Sequence, residues 1–186
     1  MTTPDISASL DSYDVSLLMA QTRKLAADYR EQTGQALPVT EELARFDAIS
    51  ILGLAKIEGE EGIDAIEQNS PQEVTSRYLI KGRVIFKTGK ARQKLGGLNL
   101  KASWTHLLMV IYDADYSPKQ IYKVPRDIID SEMANATKDK RGSMTVAKYK
   151  AIGELIWENP ELESDVHPKA NSLKKANNTS ARNPKD

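Results

Sequence analysis

The chain has no cysteine and only two histidines in 186 residues. Disulfides, thiolate nucleophiles and cysteine-ligated metals are therefore excluded, and a zinc site has too few soft or imidazole donors. The metal chemistry left open is that of a hard, oxygen-bound cation such as Mg²⁺. Long apolar runs are also missing: no stretch approaches the ~20 residues that cross a bilayer. The opening MTTPDISASLDSYD carries acids where an export signal has basic and apolar blocks. A cytoplasmic protein with no membrane partner is the expectation. Net charge is absent too, since 26 basic and 26 acidic residues cancel, so bulk charge announces no polyanion partner.

What is present is ordinary in amount and uneven in distribution. A hydrophobic content of 40% suffices for one globular core. The acids Glu58, Glu60, Glu61, Asp64, Glu67 and Glu73 fall in a stretch without Lys or Arg. From Arg77 to Lys101 the sign reverses, with Arg77, Lys81, Arg83, Lys87, Lys90, Arg92, Lys94 and Lys101 and no acid at all. Such segregation places opposite fields side by side, as where a cation and a polyanion meet, although two solvated faces would give the same pattern.

The apolar spacing predicts a helix over 12–32, closed by Gly34, and a second from Thr40 to Gly53 that follows Pro38 and carries Glu41 and Glu42 in its first turn. Those acids suit a helix N-terminus without further role. The period then changes to that of strands, over 63–67 and 76–86. In the latter, Arg77, Leu79, Lys81 and Arg83 share one face and Tyr78, Ile80 and Val84 the other. Residues 88–102 read as a mobile basic loop. The run Leu107, Leu108, Met109, Val110, Ile111 is that of a strand covered on both faces. Asp113 and Asp115 read first as a turn. A strand over 120–124 and helices over 125–136 and 145–157 complete the order.

The fold class is therefore α/β in the α+β sense: a central mixed, mainly antiparallel sheet of four to five strands flanked by helices. Residues 1–160 form one domain with an N-terminal helix, and 161–186, nearly devoid of apolar residues, form a disordered polar and basic tail.

Hydrolysis of a phosphodiester with an oxygen-bound metal needs carboxylates for the ion, a positioned water, and a cation to balance charge on the phosphorus centre. Asp64 in GIDAIE and Lys81 in RYLIKGR are the evident pair. With SWTHLLMVIYDADYSPKQIYKVPRDII downstream, these segments resemble the PD-(D/E)XK, restriction-endonuclease-like nucleases, in particular small prokaryotic members. The likeness covers roughly residues 40–136. It implies a Mg²⁺-dependent deoxyribonuclease, DNA as partner and the homodimer such enzymes often form. Asp64 matches the metal-binding aspartate and Lys81 the catalytic lysine. Leu79 stands where the family has Glu or Gln, and leucine offers no oxygen to a metal. Either Glu42, Glu41 or Glu67 completes the ligand set, Glu42 also assisting catalysis, or the chain binds nucleic acid without cutting it. A protein-interaction domain in which Asp64 and Lys81 are structural is the third reading. Arg83, Lys87, Lys90, Arg92 and Lys94 are the candidate phosphate contacts.

Overall fold

The computed structural model describes residues 14–70, 73–86, 93–94, 98–135 and 144–161. The expected tail beyond Glu161, most of the basic loop, including Lys90 and Arg92, and Lys87 before it lie outside them.

Helix α1, Val15–Thr33, starts where the Asp14 carboxylate accepts from the amides of Ser16 and Leu17. It stops at Gly34, which is left-handed at φ 71° and donates its N–H to the Arg30 carbonyl at 2.8 Å. Helix α2, Thr40–Leu52, ends the same way at Gly53. Six strands follow in one sheet, and their spatial order equals their chain order. They are β1 (Ala55–Lys56), β2 (Ala65–Ser70), β3 (Glu73–Val84), β4 (His106–Tyr112), β5 (Pro118–Pro125) and β6 (Glu154–Glu158). Helices α3, Arg126–Asn135, and α4, Val146–Ile152, lie between β5 and β6 in the chain. The α+β class, with a mixed and mainly antiparallel sheet, is as the sequence predicts.

One pairing makes the sheet mixed, and two details differ from expectation. Strands β3 and β4 pair in parallel, Tyr78 opposite His106 and Val84 opposite Tyr112. The long link between them permits this, whereas a tight hairpin would force antiparallel pairing. The sheet has six strands because β1 is only two residues long, too short to leave a periodic signal. It also gains β6, where the sequence pattern extends a helix through residue 157. Gly153, extended at φ −94° and ψ 152°, ends α4, and the free edge of β5 then supplies hydrogen bonds to residues 154–158.

Strand β4 divides the core. Leu108, Val110 and Tyr112 pack with Leu43, Ala44 and Ala48 of α2, and Leu107 and Met109 pack with Ile129 of α3 and Tyr149 of α4. Both of its faces are covered, which explains the unbroken apolar run. Gly82 sits directly under α2: a Cβ there would lie 2.6 Å from the Thr40 carbonyl oxygen and 2.9 Å from the Ala44 Cβ. The β3–β4 register is unbroken at this residue, so it forms a close helix contact and no bulge.

Helix α1 buries Ala26 against the core and is also tied on by charged side chains, Arg30 lying over the Phe86 ring. The Arg23 guanidinium bonds the Asp47 carboxylate and gives a second hydrogen bond to the Tyr116 carbonyl at 2.8 Å. The Tyr112 hydroxyl donates to the other Asp47 oxygen at 2.6 Å. Burial, and then the Asp47 charge, push the Tyr112 pKa well above the ordinary phenol value, so this hydroxyl stays a donor at any physiological pH.

Candidate functional site

Pairing of β2 with β3 ends at Ala65 opposite Tyr78, and β3 runs on through Val84 beside β4. Asp64 stands at that end. Its amide donates to the Tyr78 carbonyl at 2.8 Å, and its Oδ2 accepts the N–H of Ile80 at 2.7 Å. The carboxylate thus continues a ladder that the β2 backbone no longer supplies.

The second oxygen of Asp64 faces α2. Arg45 Nη1 lies 3.4 Å from Oδ1, and Nη2 of the same guanidinium bonds Glu42 Oε1. Arg45 is therefore a bridge between the two carboxylates. Burial works against its charge, but Glu42 and then Asp64 more than offset that and raise its pKa above the ordinary arginine value. Sequence reasoning passed over this residue. The signal was the i,i+3 spacing from Glu42, which places both on one helix face.

The other candidates are drawn elsewhere. Lys81 Nζ is 3.4 Å from Glu41 Oε2. That oxygen has no hydrogen bond, so the pair is held by charge alone. Glu67 accepts from the Tyr78 hydroxyl at 2.7 Å, and burial followed by this carboxylate pushes the phenol up to about 12. Leu79, only 5% exposed, belongs to the core cluster with Leu107 and Met109. Arg83 donates through Nη2 to the Lys94 carbonyl at 2.5 Å. Asp113 is a turn residue, its Oδ1 accepting from the amides of Asp115 and Ser117.

The structure thus brings Glu42, Arg45 and Asp64 together on the wall of a largely apolar cleft of about 460 Å³ shared with Met19, Phe46 and Ile57. It does not gather the four acids. Among the described residues no three His, Cys, Asp or Glu side chains converge as a metal site would need. The two nearest carboxylates, Glu42 and Asp64, already share a guanidinium whose positive charge would oppose a divalent ion between them. As arranged, these residues do not fit Mg²⁺. Among the described residues no helix is long and apolar enough to cross a membrane.

No protein-family model matches the chain, and no curated protein matches it.

Proposed function

We propose that the chain is a restriction-endonuclease-like protein that binds DNA without cutting it. The observation that carries this reading is Arg45, whose guanidinium reaches both Glu42 and Asp64. The charge a metal would supply to those carboxylates comes instead from a side chain, and the buried Leu79 adds no oxygen to compete for an ion. Cations remain for a phosphate backbone. Arg83, with the Lys94 carbonyl accepting its hydrogen bond, and Lys81, drawn toward Glu41, stand on β3 on either side of Gly82. The test is fluorescence anisotropy on labelled duplex DNA over a salt series, with a plasmid-nicking assay in Mg²⁺ and in Mn²⁺. The expected result is affinity that falls steeply with salt and no nicking in either metal. Absence of any salt-dependent binding sinks the proposal.

A second reading, a Mg²⁺-dependent deoxyribonuclease using Asp64 and Lys81, is favoured by one feature. The Asp64 carboxylate caps Ile80, the neighbour of Lys81 on β3. Metal-dependent nicking that disappears in both Asp64→Ala and Lys81→Ala proteins would establish it in place of the first.

A further inference from the structure

At the far end of β3 a separate cleft of about 240 Å³ opens between that strand and the start of α2, lined by Thr40, Arg83, Phe86, Gln93 and Lys94 among others. We infer that this cleft is an anion site that takes one phosphate group of a nucleic-acid backbone. The inference rests on the DNA-binding reading above and gives it a location.

Size comes first. The cleft is smaller than the roughly 300 Å³ at which sites for drug-sized ligands begin, so it suits one ionic group better than a whole small molecule. Its charge is of one sign: of the residues lining it, Arg83 and Lys94 are the charged ones and none is acidic.

Unmet hydrogen-bond capacity adds a second, independent reason. Arg83 Nε and Gln93 Oε1 are both buried and without a hydrogen-bond partner. A buried donor on a charged group left unmatched carries a desolvation cost that an incoming acceptor would recover. The Gln93 amide can be turned about its last bond, which exchanges its oxygen for an N–H donor. Arg83 and Gln93 would then present donors to the same anion.

The groups are also held in place before any ligand arrives. Arg83 is fixed through Nη2 on the Lys94 carbonyl. The segment carrying Gln93 and Lys94 is pinned to the start of α4, where the Val146 amide donates to the Gln93 carbonyl at 2.8 Å and Lys94 bridges Thr145. The Arg83 side chain and the backbone of Gln93 and Lys94 are thus placed beforehand, and such preorganisation favours affinity.

The experiment compares wild type with Arg83→Gln, Lys94→Gln and Gln93→Glu by anisotropy on labelled duplex DNA between about 50 and 200 mM salt. Circular dichroism checks the fold, and NMR of the side-chain amides is followed during a titration with inorganic phosphate. Each loss of a cation should weaken DNA binding about tenfold and reduce the magnitude of the salt slope by about one unit. Gln93→Glu, which places a negative charge in the cleft, should weaken it at least as much. If Arg83→Gln does not fold, the other two variants carry the comparison. Wild-type DNA binding with affinity and slope unchanged in the folded variants overturns the cleft and leaves the DNA-binding reading standing. Shifts at Gln93 with phosphate but no DNA binding overturn the backbone assignment and leave a site for free phosphate. Neither response overturns both.

Discussion

Asp64 accepts the backbone N–H of Ile80 at 2.7 Å, at the point where β2 stops pairing with β3. Its carboxylate therefore has structural work whatever else it does. Asp64→Ala leaves a part-buried amide unmatched and should lose about 1–3 kcal/mol of stability. Asp64→Asn keeps an acceptor for Ile80 and forfeits only the attraction to Arg45, so it should lose less than half as much. Urea denaturation of the three proteins measures this. An Asp64→Ala protein more stable than wild type would mean that the carboxylate is held in place against the fold.

Arg45 joins Glu42 and Asp64 through its two terminal nitrogens. Arg45→Ala removes the bridging cation and leaves two carboxylates with nothing between them. Wild type should show no change in Tm with added Mg²⁺ or Mn²⁺, whereas Arg45→Ala should gain stability as the metal is raised. Saturation at a hundred times Kd corresponds to about 2.7 kcal/mol. Metal-dependent stabilisation of the wild type equal to that of the variant would remove the argument that Arg45 takes the ion's place.

The order of the main elements was legible because burial imposes period: β4, covered on both faces, is an unbroken apolar run, and α2 carries its glycine stop. Strand β6 was hidden since Glu154–Glu158 has no buried side chain and its identity as a strand comes from the edge of β5. Asp64 and Lys81 could be found as charges near a turn, but Arg45 could not be joined to Asp64 by any local rule. Nineteen positions separate them, and α2 lies close on β3 where Gly82 carries no side chain.

That closeness makes Gly82 a test of the framework. A methyl group at this position would meet the Thr40 carbonyl oxygen at 2.6 Å, backbone that has no rotamer with which to move away. Gly82→Ala should therefore cost about 1–3 kcal/mol by overpacking. Because the whole of α2 must shift, it should also weaken the Arg45–Asp64 contact. The chemical shift of the Ile80 amide, bonded to Asp64, is a local readout: it should change in Gly82→Ala in the direction that Arg45→Ala changes it. An unaltered shift and an unaltered Tm would show that α2 yields without consequence.

His106 gives a dependence on pH. Its ring lies 5.7 Å from that of Tyr78, with Nδ1 3.0 Å from the Thr105 hydroxyl. Burial first, and then the positive charge of Lys123, lower its pKa below the ordinary value, while Glu67 and Asp127 pull the other way. A histidine depressed in the folded state is protonated first in the unfolded chain. Its contribution is therefore intact above about pH 6.5 and is lost as the pH falls below that, until the folded-state pKa is reached. The difference in stability between wild type and His106→Asn, measured from pH 7.5 down to pH 5 by urea denaturation, should move in the variant's favour with acid. A constant difference would mean that His106 titrates alike in both states.

Asp47 holds the Arg23 guanidinium with one oxygen and the Tyr112 hydroxyl with the other, and its side chain is 6% exposed. Removing it strands a cation and a hydroxyl together, whereas removing only the hydroxyl leaves the ion pair whole. Asp47→Ala should cost about 3–5 kcal/mol, the range for breaking one side of a buried pair, and Tyr112→Phe about 1 kcal/mol. The double variant should fall short of the sum, because the hydroxyl stranded by the first change is absent in the second. Since α1 leaves Leu17, Leu18 and Leu25 exposed and Arg23 is one of its ties to the body, beside Arg30 over the Phe86 ring, proteolysis within α1 should accelerate in Asp47→Ala well below its Tm and remain slow in Tyr112→Phe. Equal cleavage rates in the two variants would place the anchorage of α1 in its apolar contacts instead.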